Sequence, residues 1–117
     1  MKVPPVAIKV LIAIFLVIAV LVHILGLFTH VSDESLASHL IHIASYSLCL
    51  FTFLKPIKFR LWLYCMGMVY PFMFHANCFF MPLIQQQKFN AICLQVIVIL
   101  PLAAVLIWQW EKAANIE

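Results

Sequence analysis

Five histidines, His23, His30, His39, His42 and His75, stand in a 117-residue chain with only 9% charged side chains. Imidazole is the commonest transition-metal ligand and the side chain that titrates nearest neutral pH, so its placement is the first chemical question. At about 100° per residue, His39, His42, Tyr46 and Cys49 fall in one narrow stripe of a helix. Met68, Pro71, His75 and Cys78 fall in another, and His23 and His30 share a face. If these stripes belong to helices in lipid, hydrocarbon is a costly neighbour for them and they turn inward to meet.

Such a polar layer has three uses. Converging imidazoles bind a metal or a haem: two facing rings suit a b-type haem, and three suit zinc, copper or non-haem iron. In this reading His23, His42 and His75 are the ligands, with His39 as a further metal ligand, and Tyr46 and Gln95 orient the ligating rings. Met68, Met73, Cys78 and Met81 would lean the site toward copper. Against haem, only Lys88 is on hand for propionates. The plainest use is structural, with imidazoles hydrogen-bonded across helices or to carbonyls freed by Pro71 and Pro82. The third is proton-coupled work, quinone docking or transport, with His39, His42 and Tyr46 as a relay.

The remaining chemistry is sparse. Cys49, Cys65, Cys78 and Cys93 are dispersed with no CxxC pair, which excludes a zinc ribbon or thioredoxin-like motif and favours packed thiols. Cys78 and Cys93 could form a disulfide in an oxidising compartment. The seven basic residues are too scattered for a nucleic-acid footprint.

The elements that position these side chains follow from the solvent. Hydrophobic residues make up 67% of the chain and the mean hydropathy is +1.14, far from the about 25% charged composition of soluble domains. Charged positions leave four uncharged runs, Val10–Ser32, Ser35–Leu54, Leu61–Gln87 and Phe89–Trp110. Each reaches the roughly 20 residues that cross a bilayer core. None alternates polar and apolar residues as a barrel strand would. The first run lacks a cleavage pattern and reads as a retained helix rather than a secretion signal.

The spacing predicts an all-α membrane protein, a single domain over 1–117 forming a four-transmembrane-helix antiparallel bundle. Its helices fall at about 6–29, 35–54, 60–83 and 89–110. Short connections make successive helices neighbours. Lys2, Lys9, Lys55, Lys58, Arg60 and Lys112 then share one side, with Lys88, Asp33 and Glu34 on the other, so both termini are expected in the cytoplasm. Trp62, Tyr64, Trp108 and Trp110 fall at that same interface. Asp33, Ser32 or Ser35 caps the second helix, a kink is expected at Gly67/Pro71, and Ala37, Ser38, Ala44 and Ser45 offer a small-residue face. At about 1.5 Å per residue, His23, His42, His75 and Gln95 sit roughly 8–12 Å below the non-cytoplasmic boundary.

The expected function is that of an accessory or assembly subunit of a larger membrane complex, respiratory or transport, whose partners are the bilayer and larger membrane subunits. A self-contained haem- or metal-binding redox protein and a small proton-coupled carrier are the alternatives. The expected location is a bacterial inner membrane, or else the mitochondrial inner membrane.

Overall fold

The computed structural model describes residues 5–29, 34–85 and 88–116. Among these the chain forms four helices: α1 (Pro5–Thr29), α2 (Leu36–Leu54), α3 (Arg60–Ile84) and α4 (Ala91–Ile116). All four are long and apolar enough to cross a membrane, and the bundle's longest axis of 48 Å exceeds a hydrocarbon core of about 30 Å. Successive helices pack against one another, α1 on α2, α2 on α3 and α3 on α4.

The helix limits have local causes. Ser35 caps α2 as expected, its extended backbone turning the Oγ to accept from the Ser38 N–H at 3.1 Å. Ser32, Asp33 and His30 lie outside the described residues. Asn90 plays the same part for α4, its Oδ1 accepting from the Cys93 N–H at 3.1 Å, so α4 begins two residues later than its apolar pattern. It also runs to Ile116 rather than stopping at 110. Glu111 and Lys112 end the apolar span without ending the helix, because Glu, Lys and Ala are all good helix formers. α3 continues unbroken through Pro71 and Pro82.

Lipid is as apolar as the helix faces, so cohesion comes from close packing and interhelical hydrogen bonds rather than from water exclusion. A buried cluster of Ile12 and Leu16 from α1, Tyr46, Cys49 and Phe53 from α2, Tyr64 from α3, and Leu100 and Ile107 from α4 occupies one half of the bundle. Tyr64 is fully buried and donates its hydroxyl to the Leu100 carbonyl at 2.9 Å. It is therefore a core tyrosine and not part of an interfacial belt, whereas Trp62 and Trp108 are exposed. The small-residue face is also corrected. Ala37 and Ala44 point outward, and the close α2–α3 approach is made at Gly67, where a Cβ would lie 3.2 Å from the Ser45 carbonyl oxygen.

At the end of the bundle away from the histidines, Arg60 is buried and closes the C-terminus of α2. Its Nε donates to the Thr52 carbonyl at 2.6 Å, its Nη2 donates to the Phe53 carbonyl, and its guanidinium lies over the Trp110 ring at 5.6 Å. Both acceptors belong to the last turn of α2, whose carbonyls have no helical partner. Arg60→Ala is expected to destabilise the bundle by on the order of 3 kcal/mol, by loss of two charge-assisted bonds and exposure of orphaned carbonyls. Denaturation of the protein in mixed micelles measures this, and a variant as stable as wild type would refute the capping role.

Candidate functional site

His42 sits at the centre of the polar layer, with no exposed surface. Its Nδ1 lies 2.6 Å from Glu34 Oε2 and 3.0 Å from the Ser38 carbonyl oxygen. A carbonyl only accepts, so Nδ1 carries the proton and Nε2 holds the lone pair. That Nε2 is buried and has no hydrogen-bond partner among the described residues. His75, one element away on α3, donates its Nδ1–H to the Pro71 carbonyl at 2.7 Å, which likewise leaves its lone pair on Nε2. The acceptor is Pro71's own carbonyl, four residues back, rather than one released by a proline.

His23 from α1 stacks on His42 with ring centroids 4.2 Å apart and planes inclined by 12°. His75 meets His42 edge-on at 5.4 Å. One ligand nitrogen from each of His23, His42 and His75 lies within 4.8 Å of the others. The three imidazoles singled out by depth thus converge, from three different helices. Tyr46 is buried beside them, stacked at 5.7 Å on His23 and 5.8 Å on His42.

His39 joins from the other side. Its Nδ1 lies 3.0 Å from His23 Nδ1, and each of these two nitrogens is 3.5 Å from Glu34 Oε2. Room for the His39 ring is made by Gly26 of α1, where a Cβ would fall 2.5 Å from His39 Cε1. No side chain larger than hydrogen fits there without moving that ring.

Glu34 gathers the layer, although its place between two apolar runs marks it only as a connecting-loop charge. Its Oε2 accepts from the Ser38 hydroxyl at 2.8 Å. With that proton committed, the Tyr70 hydroxyl at 3.0 Å donates to Ser38 Oγ, making a chain from Tyr70 through Ser38 to Glu34 and His42. The available signal was spacing: Glu34, Ser38 and His42 stand at i, i+4 and i+8, one side of a helix carried back into its cap. Phe74 closes over His42 edge-on at 4.7 Å.

Other expected members stay apart. Gln95 is exposed on α4 and takes no part in the layer's hydrogen bonds, because its depth was right but its helical angle was not. Met73 and Met81 are also exposed, and Met68 packs against the apolar core. Their thioethers therefore do not add sulfur donors to the imidazoles. Cys78 and Cys93 are free thiols that share with Glu34 and His75 a cleft of about 730 Å³. A second cleft of about 450 Å³ runs along Gly26 and Thr29 to His23, His39 and Glu34.

Chemically, the arrangement joins a carboxylate-anchored imidazole with a bare lone pair to two further imidazoles in an aromatic enclosure. Carboxylate to histidine to metal is the arrangement by which proteins fix the tautomer of a ligating ring and raise its basicity. Compared with family models, curated proteins and solved structures, the chain matches none.

Glu34 lies just outside the spans. Burial alone would raise its carboxyl, but the Ser38 hydroxyl and the nearby His42 and His23 hold it below its ordinary value. A carboxyl depressed by folding stabilises the protein above its unfolded pKa, and the contribution disappears as pH falls through the lower folded value. The thermal midpoint of the detergent-solubilised protein is expected to fall on acidification below about pH 4.5. Glu34→Gln, which keeps an acceptor for His42 and removes the charge, should lose stability at neutral pH and show a flatter acid limb. An unchanged acid limb would show that Glu34 is not the group responsible.

Proposed function

We propose that this protein is an integral membrane protein that binds a divalent transition-metal ion of the zinc class in the polar layer, through His23, His42 and His75. The observation that carries the reading is His42, with its Nδ1–H held by a carboxylate and its buried Nε2 unpartnered among the described residues and close to two more imidazoles. Leaving a buried polar atom unsatisfied costs about 1–3 kcal/mol, and a bound cation would relieve it. Imidazole and carboxylate donors suit zinc and its neighbours, whereas magnesium and calcium prefer all-oxygen sets.

The stacked rings must pivot on binding. Ligand atoms at 2.0–2.1 Å from a tetrahedral ion stand about 3.3 Å apart, closer than the 4.8 Å limit within which these three nitrogens lie. A b-type haem fits the geometry less well. Its two axial imidazoles lie on opposite faces of a flat macrocycle, while His23 and His42 lie face to face at 4.2 Å with no room for a ring system between them.

In this proposal both termini are cytoplasmic, supported by the basic residues at the end opposite the histidines, and the site faces the periplasm of a bacterial inner membrane or its mitochondrial equivalent. The accessory-subunit reading is compatible with it. A chain made almost wholly of spans would serve a larger membrane complex as the component that holds or delivers the ion, and stoichiometric co-purification of that complex would support this.

The protein purified without added metal and titrated with cobalt(II) should take up one equivalent and develop the visible absorption of a tetrahedral site, displaced by zinc. His23→Ala should abolish the band, His42→Ala should alter it, and Glu34→Gln should weaken affinity about 10–100-fold. Absence of stoichiometric binding to the wild type would overturn the reading.

A further inference from the structure

We infer that the ion has two alternative positions that share the His23 ring, one among His23, His42 and His75 and one among His23, His39 and Glu34. This rests on the metal-binding reading and adds a carboxylate-containing position, with transfer between the two.

The second donor set needs little rearrangement. His23 Nδ1, His39 Nδ1 and Glu34 Oε2 form a triangle with edges of 3.0, 3.5 and 3.5 Å. Donors on a tetrahedral ion with bonds of 2.0–2.1 Å are about 3.3 Å apart, so this triangle already has the size of one face of a zinc site. Gly26 is the independent sign that the His39 ring is accommodated there, since α1 gives up a side chain to let the ring lie against its backbone.

The positions exclude each other. A neutral imidazole has one lone pair, on Nδ1 or on Nε2. His42 and His75 commit their Nδ1 protons to Glu34 and Pro71, so their position uses Nε2 atoms, and His23 joins it with its Nδ1–H turned to His39 or Glu34. In the other position His23 ligates through Nδ1 and carries its proton on Nε2. Movement of the ion between them therefore shifts the His23 proton from one ring nitrogen to the other and turns Glu34 from an anchor for His42 into a ligand. No net proton is gained or lost by the ring.

Both positions open onto clefts. Glu34 and His75 line both the cleft beside Gly26 and Thr29 and the cleft beside Tyr70, Phe74 and Cys78, whereas His23 and His39 line only the first. An ion passing between the two positions would keep His23 as a ligand throughout. The class of ion is a borderline divalent cation that accepts both three-imidazole and two-imidazole-plus-carboxylate coordination, as zinc does.

Zinc binding to the full-length chain in lipid nanodiscs, with X-ray absorption to read the ligands, tests this. Single variants should each retain one ion in different spheres: His75→Ala with two imidazoles and a carboxylate, His39→Gln with three imidazoles. The double variant, and His23→Ala alone, should lose affinity at least 100-fold. Gly26→Ala, which removes no ligand but displaces the His39 ring, should give the His39→Gln sphere, and adding it to His75→Ala should abolish binding. Circular dichroism confirming native helix content in each variant keeps folding separate from coordination. Loss of all binding in His75→Ala, with His39→Gln and Gly26→Ala indistinguishable from wild type, would overturn the second position and leave the first standing. A wild-type chain that takes up no zinc would overturn both.

Discussion

Within hydrocarbon a polar side chain has no water to fall back on, so every imidazole brought into the bundle must find its partner inside the protein. One carboxylate meets that requirement for the Nδ1 atoms of His23, His39 and His42. Glu34 Oε2 stands 2.6 Å from His42 Nδ1, 2.8 Å from Ser38 Oγ and 3.5 Å from the Nδ1 atoms of His23 and His39, so two helices and a connecting segment are drawn to one oxygen. α3 is tied in through Tyr70 and Ser38. The opposite half of the bundle needs no such centre, because Leu16, Phe53, Leu100 and Ile107 fill it by shape, Tyr64 bonds the Leu100 carbonyl, and the buried Arg60 spends its charge on the end of α2.

That division explains what could be read from the amino acids. Four apolar runs and a period of 3.6 residues bring His39, His42, Tyr46 and Cys49 to one buried stripe, and helical rise brings His23, His42 and His75 to one level. Both arguments depend only on helix geometry and on lipid as the solvent, and both agree with the structure. Gln95 shows where the depth argument stops: level and angle are separate coordinates, and α4 turns that residue outward. Tyr64 shows the same for composition, since a tyrosine near a span's end suits an interface as well as a core until a partner such as the Leu100 carbonyl is known.

Glu34 was harder to read because it precedes the helix it serves. Charge counting assigns it to the connection between α1 and α2, and only the capped first turn of α2, with Ser35 holding the Ser38 N–H, bends that connection so the carboxylate points down the helix toward His42. The role of Gly26 was equally hidden, since a lone glycine in an apolar helix gives no hint of which ring will press against it.

Gly26 has a mechanical consequence. With the His39 ring against bare backbone, the gap between α1 and α2 at this level is fixed by the thickness of one aromatic ring, and Glu34 and the two imidazoles span that gap without any covalent strap. The helix pair behaves as a caliper. Parting the pair would lengthen together the two edges that His23 makes across it, 3.0 Å to His39 and 3.5 Å to Glu34. The separation of α1 and α2 at this level and the tightness of the side-chain cluster between them are therefore one and the same quantity, set by the ring that lies against Gly26.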